Sequence, residues 1–451
     1  MKKNVLLLSL FLVFSQALYS QIDGYVNYHG QLSINGSKIV NQYDDTVSFA
    51  GPSLFWSNTW WGGDQFYNEN VVTEVAQNWD ASIIRAAMGV EENGGYLTSD
   101  QNKTANYDRV TTVIDAAIAN DIYVIVDWHS HNAENYEAEA IEFFSKIAQE
   151  YGNNPNIIYE LYNEPLDVSW STVIKPYAKA VIAEIRKYDP NNIIVVGTPI
   201  WSQKVDDAAV DPITAYENIA YTAHFYAGTH TQWLRDRIEA AMNSGIAVII
   251  TEWGTVDADG DGGVDEKSSD DWVDFMAEHD ITHCNWALNN KDEGASALES
   301  WASTQGGWTD NDLTTSGTYV YNLIQNWTGH NYSVDTIPDD TSDNNDGDTS
   351  SDQDTVTQDT TDNPTMFDDN PIVQKPVVYT NAAGNIVISL QEPIFENASY
   401  SVYSAKGQTL IHNKSIRQAD TEIVLQRNVP GIYVVRVKLA NFVYNFTTIK
   451  K

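Results

Sequence analysis

Between Thr46 and about Trp327, apolar runs alternate with stretches in which apolar residues recur every third or fourth position. Eight runs read as strands: Thr46–Phe55, Ala81–Met88, Ile122–His129, Asn156–Glu164, Asn192–Thr198, Ala220–Tyr226, Ala247–Trp253 and Ile281–Leu288. Tyr123-Val124-Ile125-Val126 and Ile193-Ile194-Val195-Val196 are apolar at every position. An amphipathic edge would alternate, so these strands are expected to be parallel and covered on both faces. The intervening segments Asp108–Asn120, Glu139–Tyr151, Ile174–Tyr188 and Thr231–Asn243 have helical spacing. Eight such units in roughly 280 residues predict an α/β fold, a (β/α)8 TIM barrel with its site at the strand C-termini. An open doubly wound sheet is the alternative, but no Gly-x-Gly-x-x-Gly follows the first run. Ahead of the barrel, Gly30–Tyr43 reads as a hairpin around Asn35-Gly36 that closes the barrel floor.

The ends read differently. Lys2 and Lys3 precede an apolar run, Val5 to Phe14, too short to span a bilayer. Residues 1–20 are therefore expected to be a signal peptide cut near Ser20–Gln21, and the mature protein to be exported with no transmembrane segment. Residues 21–45 form the N-terminal segment with the hairpin, and residues 46–334 the barrel. From Asp335 to Asn370 there are 12 Asp and no Glu, Lys or Arg, the composition of a disordered linker. Residues 371–451 hold 9 basic and 4 acidic residues and alternate in short β-like runs, which predicts a small all-β sandwich. Ser401-Val402-Tyr403 with Gly407, the run Val429 to Val437 and a last strand ending in lysines resemble the C-terminal sorting domain of the bacterial type IX secretion pathway. That resemblance implies the type IX machinery as a partner, and a location outside the cell or on the surface of a bacterium. A carbohydrate-binding module is the competing reading, against which stands the lack of any Trp in this segment.

Charge narrows the function. With 62 acidic and 25 basic side chains in 451 residues the net charge is −37, which excludes a polyanion such as nucleic acid as partner. A single cysteine, Cys284, excludes an intrachain disulfide framework and a multi-cysteine metal site, and its place within the eighth run suggests a small buried residue. The 14 Trp and 25 Tyr supply flat faces that stack on sugar rings as well as packing cores.

Polar and aromatic residues gather where the runs stop: Arg85, Asp127-Trp128-His129, Asn163-Glu164-Pro165, Trp201, His224 and Tyr226, Glu252-Trp253, and Trp286. Singly each has a bland reading, as a solvated carboxylate or a hydrogen-bonded core histidine. Converging on one barrel mouth they make a site. Glu164 and Glu252 come from the fourth and seventh strands. Glycosidic cleavage needs such a pair, one carboxyl to protonate the leaving oxygen and one carboxylate to attack the anomeric carbon or activate water. Arg85 and Tyr226 can hold Glu252 ionised, Asn163 can bond a sugar hydroxyl, His129 and His224 supply further donors, and Trp286 offers a flat face. A protonated Glu164 with a raised pKa beside a charged Glu252 is the expected resting state.

The chain resembles glycoside hydrolase family 5, particularly its bacterial endo-β-1,4-glucanases, from about residue 30 to 327. The matching pieces are IIRAAM (83–88), IYVIVDWHSH (122–131), IIYELYNEP (157–165), NNIIVVGT (191–198), HFYAGTH (224–230), ITEWGT (250–255), NWALNNKDEGASAL (285–298) and GGWT (306–309). The resemblance implies that Glu164 is the acid/base and Glu252 the nucleophile of a retaining mechanism, supported by Arg85, His129, Asn163, His224 and Tyr226. It also implies that Trp286, Lys291 and Glu293 line glucosyl subsites, and that Trp201 and Trp56 stack on either side of the cleavage point. It implies no cofactor or metal, a β-1,4-glucan substrate and a monomer. The first strand departs from the family: Gly51-Pro52-Ser53-Leu54-Phe55-Trp56 lacks a His common before the Trp, and Gly89 stands where Tyr often follows the Arg-Ala-Ala-Met segment. Asp257, Asp259 and Asp261 precede Gly262 like an EF-hand start, but the twelfth position is Ser268 rather than Glu, so no calcium is assigned. The rival functions are the same chemistry on mannan or another β-1,4-glycan, and a non-hydrolytic surface glycan binder.

Overall fold

The computed structural model describes residues 24–330, 377–380, 385–390, 398–404, 409–416, 420–423, 431–439 and 442–450. The signal segment expected at 1–20 and the linker expected at 335–370 lie outside the described residues. Contacts divide the chain into two units near residue 337.

The first unit is a closed barrel of eight parallel strands: β1 (Ala50–Leu54), β2 (Ile83–Gly89), β3 (Tyr123–His129), β4 (Ile157–Glu160), β5 (Ile194–Val196), β6 (Ile219–Tyr226), β7 (Ala247–Gly254) and β8 (His283–Leu288), with β8 paired to β1. Five of the strands lie inside the runs expected from the sequence, while β2 and β7 extend one residue further, to Gly89 and Gly254, and β6 starts one residue earlier, at Ile219. Successive residues separate into two cores. Ile84, Ala86, Val124, Val126, Ile157 and Tyr159 pack with the surrounding helices. Their neighbours Ile83, Tyr123, Ile125 and Ile158 join Phe49, Val195, Ala220, Ile249 and Cys284 in a second cluster. This period of two is why the runs are apolar throughout: both faces are buried.

The inner cluster continues into Val26, Leu32 and Ile39, so the N-terminal segment does close the floor. Its hairpin pairs Ser33–Asn35 with Lys38–Val40, and Asn35 opposes Lys38. The turn is therefore Gly36-Ser37, one residue later than expected, with Gly36 at φ +61° in the first turn position, where a side chain is disfavoured. The helix expected from Asp108 begins at Asp100, because Ser99 caps it by accepting from the Asn102 N–H at 3.1 Å. Its first turns are polar and carry no apolar period.

In the second unit the described strands form two antiparallel sheets, one of Val377–Thr380, Ile386–Ser389 and Asp420–Ile423, the other of Ser399–Ser404, Thr409–Ser415, Gly431–Leu439 and Phe442–Lys450. Ile386, Ile388 and Ile423 of the first share a core with Tyr400, Val402, Val435 and Val437 of the second.

β1 lies so close to β2 that a Cβ on Gly51 would meet the Ile83 carbonyl oxygen at 1.6 Å. No rotamer change can relieve a backbone clash. Gly51→Ala is therefore expected to lower the unfolding free energy by at least about 3 kcal/mol, the upper end of overpacking costs, read as a drop in the urea midpoint of the full chain.

Candidate active site

The upper layers of the barrel are polar. Arg85 lies in the middle of β2 rather than at its end as expected, fully buried, and opposite Ser53 of β1. Its Nε donates to Glu160 at 2.7 Å, one Nη to Glu252 at 3.0 Å and the other to Asn163 Oδ1 at 2.6 Å, and the guanidinium forms an ion pair with Asp127 at 2.9 Å. Asp127 in turn holds His129 Nδ1 at 2.6 Å. Burial, joined by the charges of Glu160 and Glu252, pushes Asp127 well above the usual carboxylate range, against the pull of Arg85. Glu160 is pushed up by burial too, but Arg85 and His224 outweigh this and hold it down.

Glu252 reaches the cleft through an irregularity in β7. Thr222 of β6 pairs with Ile249 and His224 with Glu252, so β7 has one residue more than β6 over this stretch; the same shift recurs against β8. Thr251 continues the inward series of Ala247 and Ile249, hydrogen-bonding Glu160 at 2.5 Å. Without the extra residue Glu252 would point to the helices; the bulge re-aims it. There it accepts from the Tyr226 hydroxyl at 2.9 Å as well as from Arg85.

Glu164 stands beyond the end of β4, where Asn163 N–H to the Trp128 carbonyl (3.4 Å) and Glu164 N–H to the Ser130 carbonyl (3.3 Å) continue the parallel pairing. Two imidazoles face its carboxylate, His224 Nδ1 at 3.0 Å and His131 Nε2 at 3.1 Å. His131 was not singled out from the sequence. It lies two residues past His129, beyond the end of the strand, and its ring too neighbours Trp56, with centroids 5.8 Å apart.

These contacts settle where the proton resides. Thr251 Oγ1 touches three groups, Glu160, the Thr222 hydroxyl at 2.6 Å and His224 Nε2 at 2.9 Å. The acceptor-only Glu160 takes the Thr251 proton, so Thr251 accepts from His224 Nε2–H. His224 Nδ1 and Glu164 then share one further proton. Burial pushes His224 down, but its contacts with Glu160 and Glu164 and the charges of Glu252 and Glu164 raise it to about 9. Burial pushes Glu164 up, but His131 and His224 outweigh it and hold it at about 2. Glu252 is raised by burial and by the charge of Glu164, against His224, Arg85 and Tyr226. The expected raised Glu164 is therefore reversed: in the free enzyme the shared proton rests on the imidazole side, because two donors converge on Glu164. A carboxylate oxygen of Glu164 and one of Glu252 lie within 4.8 Å of each other, with a His224 nitrogen inside the same span.

Aromatic rings wall this pair. Trp286 stacks on His129, centroids 5.0 Å apart and 3° from parallel, and also meets Phe55 at 5.1 Å. Trp56 stands edge-on to His129 at 4.2 Å and to Trp61 at 5.2 Å. Gly89 makes room for it, since a Cβ there would lie 2.7 Å from Asn58 Oδ1 and 3.3 Å from the Trp56 ring. Trp61 joins Phe55 and Trp286 in one apolar cluster, another residue the sequence did not single out. Trp201, 46% exposed, is presented after β5 by three consecutive residues with left-handed φ, Ile200, Trp201 and Ser202. Such strain in a β-branched residue persists only where the surroundings enforce it; here the Trp201 N–H bonds the Pro165 carbonyl at 2.8 Å and Ser202 Oγ the Asn163 carbonyl at 2.8 Å. Lys291 pairs with Glu293 and lies 5.4 Å from the Phe55 ring centre. Glu293 also lines a separate cavity of about 830 Å³ with Asp257, Asp265, Glu266 and Glu299. Of the residues expected at the site, Arg85, His129, Asn163, Glu164, His224, Tyr226, Glu252 and Trp286 are linked in one network with Trp56, whereas Trp201, Lys291 and Glu293 stand on the rim.

A (β/α)8 barrel with two carboxylates facing each other at its mouth, one clamped by Arg and Tyr and the other by imidazoles, defines a glycoside hydrolase. The chain belongs to the cellulase family, glycosyl hydrolase family 5, whose sequence pattern matches residues 40–292. It is 55% identical over 296 residues to Endoglucanase Z of Dickeya dadantii, covering 66% of each chain. It is 44% identical over 319 residues to an endoglucanase of Clostridium saccharobutylicum, covering 70% of this chain and 69% of that one. The chain thus spans about two thirds of the length of the relatives it matches. Among solved structures it is similar to one from Cytophaga hutchinsonii, at 49% identity and TM-score 0.65, covering 67% of this chain and 96% of the other. It is also similar to the catalytic domain of Thermobifida fusca endoglucanase Cel5A, at 31% identity and TM-score 0.63, covering 67% and 99%.

His224 sets a pH limit. Its pKa rises from an ordinary 6.5 to about 9 on folding. A raised value means that its contribution to stability is complete below pH 6.5 and lost as pH climbs through about 9. The same proton serves the pair facing the substrate. The profile of kcat/KM is expected to fall on an alkaline limb with apparent pKa near 9, and a limb near 6.5 would show that the imidazole is not held up.

Proposed function

We propose that the protein is a secreted endo-β-1,4-glucanase that cleaves internal bonds of cellulose or related β-glucans with retention of configuration. The observation that carries this reading is the separation of the two carboxylates, within 4.8 Å between oxygens. Retaining enzymes hold their carboxyls about 5–5.5 Å apart, whereas inverting ones need about 6.5–9.5 Å to admit water. The endoglucanase relatives support β-1,4-glucan as substrate.

Glu252 is the nucleophile. Arg85 and Tyr226 occupy its oxygens from the sides and hold it as a carboxylate aimed into the cleft. One of its lone pairs bonds to the anomeric carbon as the glycosidic C–O bond breaks. The proton shared by His224 and Glu164 passes through Glu164 to the departing oxygen, so the leaving sugar departs as an alcohol. Esterifying Glu252 removes a negative charge that holds protons on His224. Glu164 is left as a carboxylate and takes a proton from water, whose oxygen attacks the anomeric carbon and restores Glu252. Asn163 has its Oδ1 engaged by Arg85, which leaves its amide N–H groups for a sugar hydroxyl. Trp286 and Trp56 stack on glucosyl rings near the cleavage point, Trp201 on the leaving side, and Lys291 and Glu293 bond sugar hydroxyls at the rim. No cofactor or metal enters these steps.

For the ends of the chain, we propose a signal peptide at 1–20, an Asp-rich linker at 335–370 and a β-sandwich sorting domain at 371–451 that delivers the enzyme through the type IX pathway. The shared core of the two C-terminal sheets supports the sandwich. The absence, among the described residues, of any helix long and apolar enough to cross a membrane is compatible with export.

Stereochemistry tests the reading. Proton NMR during early hydrolysis of a soluble glucan is expected to show the β-anomer first, and the α-anomer first would overturn the retaining assignment. The same chemistry separates the roles. With azide, Glu252→Ala should form an α-glycosyl azide, and Glu164→Ala a β-glycosyl azide from a substrate with a good leaving group. Opposite products would exchange the two roles.

Modularity is tested by truncation. Residues 21–334 alone are expected to keep the full chain's kcat on soluble carboxymethylcellulose. A folded but inactive fragment would place part of the catalytic unit in the tail.

A further inference from the structure

We propose that Trp60 and Trp301 form an additional glucosyl-binding platform at the glycone end of the cleft, taking a β-1,4-glucan backbone beyond the rings stacked at Trp286 and Trp56. The inference rests on the endoglucanase reading and names a site beyond it. Four tryptophans are strongly exposed among the described residues, Trp60 at 67%, Trp301 at 69%, Trp201 at 46% and Trp233 at 45%. All four follow the C-terminal ends of barrel strands, which is the face that carries Glu164 and Glu252. Trp233 is backed by His230 and Arg237. Trp60 and Trp301 expose about two thirds of their surface and are the most exposed of the four.

Both are held on braced turns. Trp60 lies in the 3-10 turn Thr59–Trp61, closed by Gly62 at φ +77° and anchored by buried Asn58, whose side chain donates to the Asn93 carbonyl at 2.9 Å. The next residue, Trp61, packs on Phe55 and Trp56, so Trp60 is continuous with the aromatic wall of the cleft. Trp301 sits in a turn closed by Ala302 N–H to the Glu299 carbonyl at 2.8 Å, and Asn290, next to Lys291, donates to the Ala302 carbonyl at 3.1 Å. β1 and β8 are adjacent, and their loops are tied together where Asn68 donates to the Thr304 carbonyl at 2.9 Å and Gly307 N–H to Glu74 at 3.1 Å.

Direction follows from the ring of strands. Trp201 is bonded through its backbone to Pro165, beside Glu164, on β5. In the closed order β5 stands opposite β1. A glucan crossing the mouth with its leaving end at Trp201 runs out on the other side between the β1 and β8 loops. The net charge of −37 opposes an anionic polymer, and a neutral glucan presents C–H faces to the indoles at no electrostatic cost.

The test uses the full chain, with W60A, W301A and the double variant, on an aryl β-cellobioside and on cellohexaose. Because both indoles are exposed, turnover of the aryl cellobioside should stay within about twofold of the parent. On cellohexaose kcat/KM should fall about two- to tenfold per tryptophan, the effect of one aromatic stacking contact, and cleavage should move toward the centre of the chain. W60F with W301F should restore most of the loss. Unchanged cellohexaose kinetics in the double variant would overturn the platform, as would an equal loss on both substrates, which would mean that the indoles support the cleft itself. If the parent hydrolyses no β-1,4-glucan, the endoglucanase reading fails separately. The platform is then judged by gel retardation in hydroxyethylcellulose, where it requires slower migration of the parent, and equal mobility of parent and double variant overturns it.

Discussion

The guanidinium of Arg85 is the constraint on which the site depends. It is buried completely; Glu160, Glu252, Asn163 and Ser53 accept from its N–H groups, and Asp127 is paired with it at 2.9 Å. Every arm of the cleft begins there. Through Asp127 it sets His129 and hence the Trp286 ring stacked upon it. Through Glu160 and Thr251 it sets His224, and through His224 the carboxylate of Glu164. Glu252 it touches directly. Removing one partner of a buried ionic cluster costs about 3–5 kcal/mol, because the remaining charges stay in a low dielectric without compensation. The arginine therefore holds two glutamates from different strands at a fixed separation while the strands supply only an approximate one.

The bulge in β7 solves a problem of register that the arginine cannot. Thr251 and Glu252 are consecutive, and in a regular strand only one could face inward. The site needs both, Thr251 to join Glu160 to His224 and Glu252 to face the substrate. One extra residue relative to β6 and β8 gives both the same side. The exposed left-handed turn at Ile200–Ser202 is a second departure from regular geometry, and it too is tied back to the Glu164 segment by backbone hydrogen bonds. Both irregularities lie at the C-terminal face, while the opposite end is filled by a regular apolar layer and the hairpin.

This division explains what could be read from the chain. The eight runs were legible because strands buried on both faces need no alternation, and the eight strands fall on them to within one residue beyond either end. Glu164, Glu252, Arg85 and His224 were legible because polar residues that interrupt an apolar run have few other reasons to be there. Glu160 was not, although it interrupts a run in the same way, because the run reads as ending at Glu164 whereas the strand ends at Glu160. His131 was not, because it lies two residues past the end of its run and nothing in the sequence shows that its ring meets Glu164. Trp61 lay in a loop whose path depends on Gly62 and on packing against Phe55 and Trp56. The misjudged charge of Glu164 follows: from the sequence its proton is set by the charge of Glu252, and the contacts of His131 and His224 outweigh that influence.

That proton placement bears on how the proposed double displacement can turn over. An isolated carboxylic acid beside an anionic nucleophile keeps its proton only while the neighbour stays charged. Here the acid and an imidazole hold one proton between them, and Glu160, through Thr251, keeps the far nitrogen of that imidazole protonated. The proton remains within 3.0 Å of Glu164 whichever atom carries it. Substrate entering the cleft removes water from His131, the more exposed of the two donors, with its side chain 32% accessible. A drier His131 is a weaker cation, so Glu164 becomes more basic as the glycosidic oxygen arrives, and the proton shifts toward the atom that must deliver it. After glycosylation the charge of Glu252 is gone, His224 loses one of the influences that raise it, and a neutral imidazole can let Glu164 act as base toward water. In the proposed mechanism two histidines and a buried threonine thus let Glu164 serve as acid and then as base, while His224, Arg85 and Tyr226 pull Glu252 down against the burial and the Glu164 charge that raise it.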